Sequence, residues 1–546
     1  MSASVDAAAR IIADLVAAGV RDVVLSPGSR SAPIAYVVAA AERDGRLRLH
    51  VRHDERSAAF LGLGIGRADP EHPAVVVTTS GSAVANLVPT AMEAHHAGVP
   101  LLLLTADRPT RLRGTWANQT SDLQPNLFST LAWHADIDPT TCEDSPWLDA
   151  LDAARGGTDR RPGPAHLNVC FDVPLQPEPG AMLTLPDPSG RASALPGESI
   201  RTARGEVPFP SGRDSVPPEL LELGPRTVVV AGDGAGPEAS SLAERAGWPL
   251  LAEPTSGARF GTSRVDAYRL VLRDLAPQVE RVVVYGRPTL SRPVTSLLDD
   301  PRVEVVQVVR HAAELGPGRP ARRVTAVTVD HPDDPAWLDA WQVAGTEART
   351  LAVAAIDRWP YTTGLHVAHA IAAATAPGDA VLVGSSNPVR DLDLVARDLP
   401  EDALFLANRG LAGIDGAVSS ALGVAIGSGR PTRAYLGDLT FLHDLNGLAV
   451  PAAERGRVRL QLVVANDDGG GIFATLEHAR HPEAFERVFG TPTGADVGSL
   501  CRGYGIDHRH VTLAELPAAL AEIPPGISVV EITTDRTDLG ALHSSF

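Results

Sequence analysis

Three ordered segments of this chain recur after about 360 residues, and that repeat constrains the fold more than any other feature. The small-residue helical pattern "AAFLGLGIGRA" (58–68) returns as "SSALGVAIGSG" (419–429). "PAVVVTTSGSA" (73–83) returns as "TRAYLGDLTF" (432–441), each an apolar run ending in a glycine-containing turn. "PLLLLTADRP" (100–109) returns as "LQLVVANDDG" (460–469). Ala/Leu patterns with helical spacing alternate with these runs, so each copy predicts βαβ units around a parallel sheet. The Pro- and Gly-rich stretch "DVPLQPEPGAMLTLPDPSGRASALPGES" (172–199), continuing to about 218, predicts a linker, and "VDHPDDPAW" (329–337) a second break. The expectation is an α/β protein of three doubly wound parallel-sheet domains over 1–185, 190–345 and 350–546.

Composition narrows the function. A chain of 546 residues exceeds what one core holds, and its net charge of −18 argues against nucleic acid or an anionic membrane as partner. All 48 basic residues are arginines. The absence of lysine excludes a Schiff-base lysine and a P-loop, each of which needs one. No apolar run approaches the roughly 20 residues that span a bilayer. "SVDAAARIIADLVAAGV" interleaves Asp6, Arg10 and Asp14 with apolar residues, which predicts an amphipathic helix rather than a signal peptide. Cys142, Cys170 and Cys501 lack metal-binding spacing and fit a reducing cytoplasm.

In open α/β sheets, ligands bind beyond the C-terminal ends of the strands. Two neighbouring apolar runs end in oxygen donors, Asp438 and Asn466. With a backbone carbonyl such as that of Asp468, they form an all-oxygen set suited to Mg²⁺. Either residue alone would be an ordinary helix cap; the spaced pair points to a cation. The spacing resembles the thiamine-diphosphate signature, Gly-Asp followed about 25–30 residues later by Asn. It departs from that pattern at Leu439, where glycine is usual, and at Ala465, the first position of the usual Asn-Asn. "VVVAGDGAGPEA" (228–239) carries a Gly-Asp-Gly without an Asn-ended strand behind it and predicts a structural turn. Thiamine chemistry also needs a carboxylate at the aminopyrimidine ring, where it favours the imino tautomer that takes the C2 proton. "LRLHVRHDERSAAF" (47–60) supplies Glu55 near a helix start, where alone it would merely complement the helix dipole.

"LSPGSRSAP" (25–33), "RHDERSAAF" (52–60), "TTSGSAVANL" (78–87), "LTADRP" (104–109) and "GTWANQTSDLQ" (114–124) together resemble one enzyme family. "GSSNPVRDLD" (384–393), "NRGLAGIDGAVSSALG" (408–423), "NDDGGGIF" (466–473) and, more thinly, "YGRPTLSRPV" (285–294) carry the same resemblance. The chain is similar to the MenD family, the 2-succinyl-5-enolpyruvyl-6-hydroxy-3-cyclohexene-1-carboxylate (SEPHCHC) synthases of menaquinone biosynthesis. The resemblance implies a pyrimidine-binding first block, a central block without cofactor chemistry and a diphosphate-binding third block. It implies thiamine diphosphate with Mg²⁺, or Mn²⁺ in its place, and the substrates 2-oxoglutarate and isochorismate. It also implies a homodimer or homotetramer with sites at the subunit interface.

The resemblance assigns substrate contacts to Ser29, Arg30, Arg108, Asn118, Gln119, Arg292, Arg390 and Arg409. Both substrates are dianions, and a bidentate Arg–carboxylate contact contributes about 1.5–3 kcal/mol. Arg30 and Arg390 follow Gly- or Pro-rich turns at predicted strand ends and are the foremost of these. Cofactor contacts are implied for Ser386, Asn387, Pro388, Val389, Ile414, Gly437, Leu439 and Phe473. An acetohydroxyacid-synthase-like decarboxylase would take a monoanion and need fewer arginines. A non-catalytic binding relative would have no use for Glu55, Asp438 and Asn466 together.

Overall fold

The computed structural model describes residues 2–142, 144–157, 160–190, 217–311, 314, 316, 319 and 321–546. Most of the predicted linker lies outside these residues. The described residues form two compact units, one of residues up to 190 with 410–430 and 443–459, the other of 217–409 with 431–442 and 460–546.

In the first unit, β1 (Asp22–Leu25), β2 (Arg48–Val51), β3 (Val75–Thr78), β4 (Leu101–Asp107), β5 (Trp133–Ile137) and β6 (Pro164–Cys170) form a parallel sheet. Its order is β2-β1-β3-β4-β6-β5. Every residue of β3 and β4 is buried, as expected for strands covered by helices on both faces. The predicted amphipathic helix is Ala3–Ala17, capped by Ser2, with Val5, Ile11, Ile12 and Leu15 buried in the core.

The second unit holds two larger sheets. β8 (Thr227–Ala231), β9 (Leu250–Ala252), β10 (Arg281–Tyr285), β11 (Glu304–Val308) and β12 (Arg322–Val324) pair in parallel in the order β12-β11-β10-β8-β9. A two-stranded ladder of β7 (Glu219–Leu220) and β13 (Val327–Thr328) lies beside them in sequence. The third sheet comprises β14 (Ala380–Val383), β15 (Leu404–Leu406), β16 (Thr432–Gly437), β17 (Arg459–Asn466), β18 (Asp507–Val511) and β19 (Gly526–Thr533). Its order, β15-β14-β16-β17-β19-β18, matches the first sheet strand for strand. The recurring segments fall on equivalent strands, β3 with β16 and β4 with β17, so the repeat is a duplicated topology.

The two recurring small-residue helices, Glu55–Ala68 and Ala417–Ser428, pack on each other within the first unit. A Cβ on Gly64 would lie 2.2 Å from the Ser420 carbonyl, and one on Gly423 2.2 Å from that of Leu61. Close backbone approach therefore explains the small residues in both copies. It also places 410–430, which the sequence assigns to the third block, in the first compact unit. The helix Pro335–Arg358 runs unbroken through 345–350, where the sequence reading separates two blocks. Asp334 caps it and Pro335 occupies its first turn, so the Pro/Asp signal marks a helix start. Among the described residues no helix is long and apolar enough to cross a membrane, and the three cysteines are free.

Candidate active site

The first unit gathers its predicted residues at the C-terminal ends of β1 to β4. After β1 the chain turns at Gly28, where a Cβ would lie 2.3 Å from Thr79 Cβ. The β1 and β3 turns thus touch where the strand order reverses, the crevice that open α/β sheets use for ligands. Ser29 is exposed. The Arg30 backbone N–H donates to Thr79 Oγ1 at 3.3 Å, and its Nη1 donates to the Phe171 carbonyl at 2.8 Å. Arg108 follows β4; its backbone N–H donates to Asp107 at 2.7 Å, and its Nε is buried without a partner. Burial lowers the Arg30 pKa and the nearby Arg108 charge lowers it further. Asn118 and Gln119 lie on the exposed loop beyond. Gln119 adopts φ 56°, and its Nε2 donates to the Ser80 carbonyl at 2.9 Å.

Glu55 opens its helix directly after β2, behind the N-cap Asp54. Its Oε2 accepts from Asn86 Nδ2 at 3.1 Å. Asn86 lies in the quoted segment 78–87, yet nothing in that run of letters singles out its amide as the partner of a carboxylate on another element. Ile414 also belongs to this unit and is partly buried.

The second unit uses the equivalent four strand ends. β14 leads into Ser386, at φ 72°, and the helix Asn387–Val395, with Pro388 in its first turn and Val389 buried. Arg390 Nη1 donates back to the Ser386 carbonyl at 2.7 Å. Arg409, beyond β15, is 3% exposed; its Nη2 donates to the Thr289 carbonyl and Oγ1 at 3.2 and 3.0 Å, and its Nε has no partner. Burial lowers the Arg390 pKa, and the Arg409 charge is the next cause. A second arginine pair is thereby formed. Arg292 is exposed and pairs with Glu477 at 2.8 Å. Phe473 sits in the turn Gly471–Thr475, its ring 5.4 Å from that of Phe489.

β16 ends in Gly437, before which a Cβ would meet only open space, and the chain continues into Asp438 and Leu439. The Asp438 carboxylate accepts from the backbone N–H groups of Leu439 and Gly469, while its Oδ2 is buried without a partner. Asn466 Oδ1 accepts from the Asp468 N–H at 3.0 Å, and its Nδ2 donates to Glu531 at 2.7 Å. Asp468 adopts φ 49°; its carbonyl accepts from Arg536 at 2.7 Å and its carboxylate from the N–H groups of Thr493 and Gly494. Asp467, between two predicted ligands, was not singled out. Its Oδ1 is also buried and accepts no hydrogen bond, with Arg536 Nη1 as an ion-pair partner at 4.0 Å. Burial raises Asp438 to about 6, and burial together with the Asp438 charge raises Asp467 to about 7. Arg536 supplies one positive charge to Asp467, whereas Asp438 Oδ2 has no hydrogen-bond donor, and this set of oxygen donors suits a hard divalent ion. By contrast, the cluster of Asp107, Asp136 and Cys170 is already filled by Arg113, which donates to both carboxylates at 2.8 Å.

The turn after β8 serves backbone packing. A Cβ on Gly232 would lie 2.0 Å from the Pro288 nitrogen, so the two turns of the middle sheet touch there.

Residues 5–127 match the family model described as thiamine pyrophosphate enzyme, N-terminal TPP binding domain. The chain is 46% identical to the 2-succinyl-5-enolpyruvyl-6-hydroxy-3-cyclohexene-1-carboxylate synthase of Kineococcus radiotolerans, over 98% of this chain and 97% of that protein. It is 45% identical to the synthase of the same name from a Nocardioides species, over 97% and 95%. Identity to that of Rhodococcus erythropolis is 41%, over 100% and 99%.

Proposed function

Because the chain belongs to the 2-succinyl-5-enolpyruvyl-6-hydroxy-3-cyclohexene-1-carboxylate synthase family, we propose that it decarboxylates 2-oxoglutarate and joins the remaining fragment to isochorismate. The observation that carries this reading is the two arginine pairs, Arg30 with Arg108 and Arg390 with Arg409. Asp172 and Asp107 near Arg30, and Asp391 and Asp393 near Arg390, offset part of the repulsion within each pair, and two such arginine pairs suit two dianionic substrates. A decarboxylase acting on a monoanion would not need both.

Bound thiamine diphosphate supplies the carbon nucleophile and the electron sink for decarboxylation. Glu55 would hold the proton at the aminopyrimidine ring nitrogen, with its carboxylate oriented by Asn86. Asp438 and Asn466, with the Asp468 carbonyl, would hold Mg²⁺ against the diphosphate, and Asp467 lies close enough to add charge to that set. Ser386 to Val389, Ile414, Gly437, Leu439 and Phe473 would line the cofactor. Ser29, Asn118, Gln119 and Arg292 would complete the substrate contacts. In this reading the first block binds the pyrimidine and the third the diphosphate. A homodimer or homotetramer would then build each site from two chains.

Mass spectrometry of the product from isochorismate and 2-oxoglutarate tests the proposal. The joined product should form only with thiamine diphosphate and Mg²⁺ present. Turnover of pyruvate equal to that of 2-oxoglutarate would refute the dianion assignment.

A further inference from the structure

Glu55 must keep its carboxylate fixed, because proton transfer tolerates only about 0.5 Å of misplacement. The structure shows what fixes it. The N-cap Asp54 accepts from the N–H groups of Arg56 and Ser57 through Oδ1, and its Oδ2 accepts from Asn446 Nδ2 at 2.8 Å. Arg56 Nη2 donates to the His443 carbonyl at 2.7 Å. Ser57 Oγ donates to Asp444 Oδ1 at 2.9 Å, and Asp444 Oδ2 accepts from the Ser419 N–H at 2.7 Å. Residues 54, 56 and 57, which surround Glu55 in the chain, are therefore each tied to the segment 443–446.

Asp444 differs from the other two ties. It is 0% exposed, whereas His443 and Asn446 are exposed to water. The next glycine lets it approach: a Cβ on Gly447 would lie 2.8 Å from Ser419 Oγ and 2.9 Å from Val418 Cγ1. Apolar side chains of similar volume would join two helices at lower cost than a buried carboxylate. What a carboxylate adds is direction, since its two oxygens fix two donors on two helices.

We propose that Asp444 is a positioning residue for the reaction, seating the first turn of the helix that carries Glu55 through Ser57. The inference rests on the reading of Glu55 as the group that activates the cofactor. Small displacements of a reacting group cost up to about 100-fold in rate. Ser57→Ala removes only the tie to Asp444, and Asp444→Asn leaves one oxygen where two donors, Ser57 Oγ and the Ser419 N–H, are now accepted.

The test uses the full chain with thiamine diphosphate and Mg²⁺, following exchange of the cofactor C2–H by NMR in wild type, Glu55→Gln, Ser57→Ala and Asp444→Asn. Ser57→Ala should slow exchange at least 10-fold while its cofactor Kd changes less than 3-fold on the scale of this effect. Combining it with Asp444→Asn should add little to the loss of exchange, because both act on the Ser57–Asp444 tie. In the cofactor-free protein, amide protection across residues 55–58 should fall in Ser57→Ala. Slowed exchange in Glu55→Gln with wild-type exchange in Ser57→Ala overturns the role of Asp444 alone. Unchanged exchange in Glu55→Gln overturns the reading of Glu55 and this inference with it. If Asp444→Asn does not fold, Ser57→Ala still decides the matter.

Discussion

Replacing Asp438 by asparagine should make the ligand-free protein more stable and the loaded protein less so. The carboxylate is 3% exposed, its Oδ2 has no partner, and burial lifts its pKa from the ordinary 3.8 to about 6. A folded-state pKa above the unfolded one means that the unfolded chain releases the proton first as pH rises. The penalty is therefore absent below about pH 4, grows up to about pH 6, and stays constant above, reaching at most about 3 kcal/mol for a two-unit shift. Asparagine keeps an oxygen for the Leu439 and Gly469 N–H groups, carries no charge, and also relieves Asp467, whose pKa the Asp438 charge raises. Asp438→Asn should thus gain about 1–3 kcal/mol at pH 7.5 without ligands and nothing near pH 4. With Mg²⁺ and thiamine diphosphate at 100 times Kd, wild type should gain about 2.7 kcal/mol that the variant largely forgoes. Unfolding midpoints at both pH values, with and without ligands, measure the reversal. A variant less stable than wild type without ligands, yet showing the full ligand-dependent gain, would refute the account.

Arg390→Ala should cut kcat/KM for one dianionic substrate by about 10- to 100-fold while leaving Mg²⁺ and cofactor binding nearly intact, checked by steady-state kinetics beside calorimetric titration. Glu253 is 3% exposed, accepts from the Thr289 and Leu290 N–H groups at 2.9 Å, and burial raises it to about 8. Wild type should therefore lose stability as pH rises from the ordinary 4.5 to about 8, and Glu253→Gln should flatten that slope in thermal melts recorded across the range. Co-expressed Glu55→Ala and Asp438→Ala chains, each inactive alone, should recover activity in isolated hybrid dimers, up to half of the wild-type value. Hybrids without activity would exclude sites shared between chains.

The division between what the sequence revealed and what it concealed follows the kind of interaction. The place of Asp438 and Asn466 at neighbouring strand ends was legible because strand ends can be read from apolar runs. Asp467 was hidden between them, since its raised pKa arises from burial beside Asp438, which only the folded chain creates. Asn86, Asp444 and Glu253 were hidden for the same reason. Each acts through a hydrogen bond to a distant segment, and polar residues of that kind more often cap or solvate. The small-residue helices revealed that two segments were alike, but not that they meet at Gly64 and Gly423.

The first and third sheets share one strand order, so their strand ends pair position by position. Equivalent strand ends bear Arg30 after β1 and Arg390 after β14, so the first position carries an arginine in both copies. The other positions have diverged. The second carries Glu55 in one copy and Arg409 in the other. The third carries the glycine turn at Gly81 in one and Asp438 in the other. The fourth carries Arg108 in one and the run Asn466 to Asp468 in the other. On the proposed roles, neither copy alone holds both a carboxylate for the pyrimidine and a set of oxygen donors for a cation. Separating them onto two copies keeps the cation-binding carboxylates and Glu55 apart in the sequence of each copy, so each can be tuned by its own surroundings.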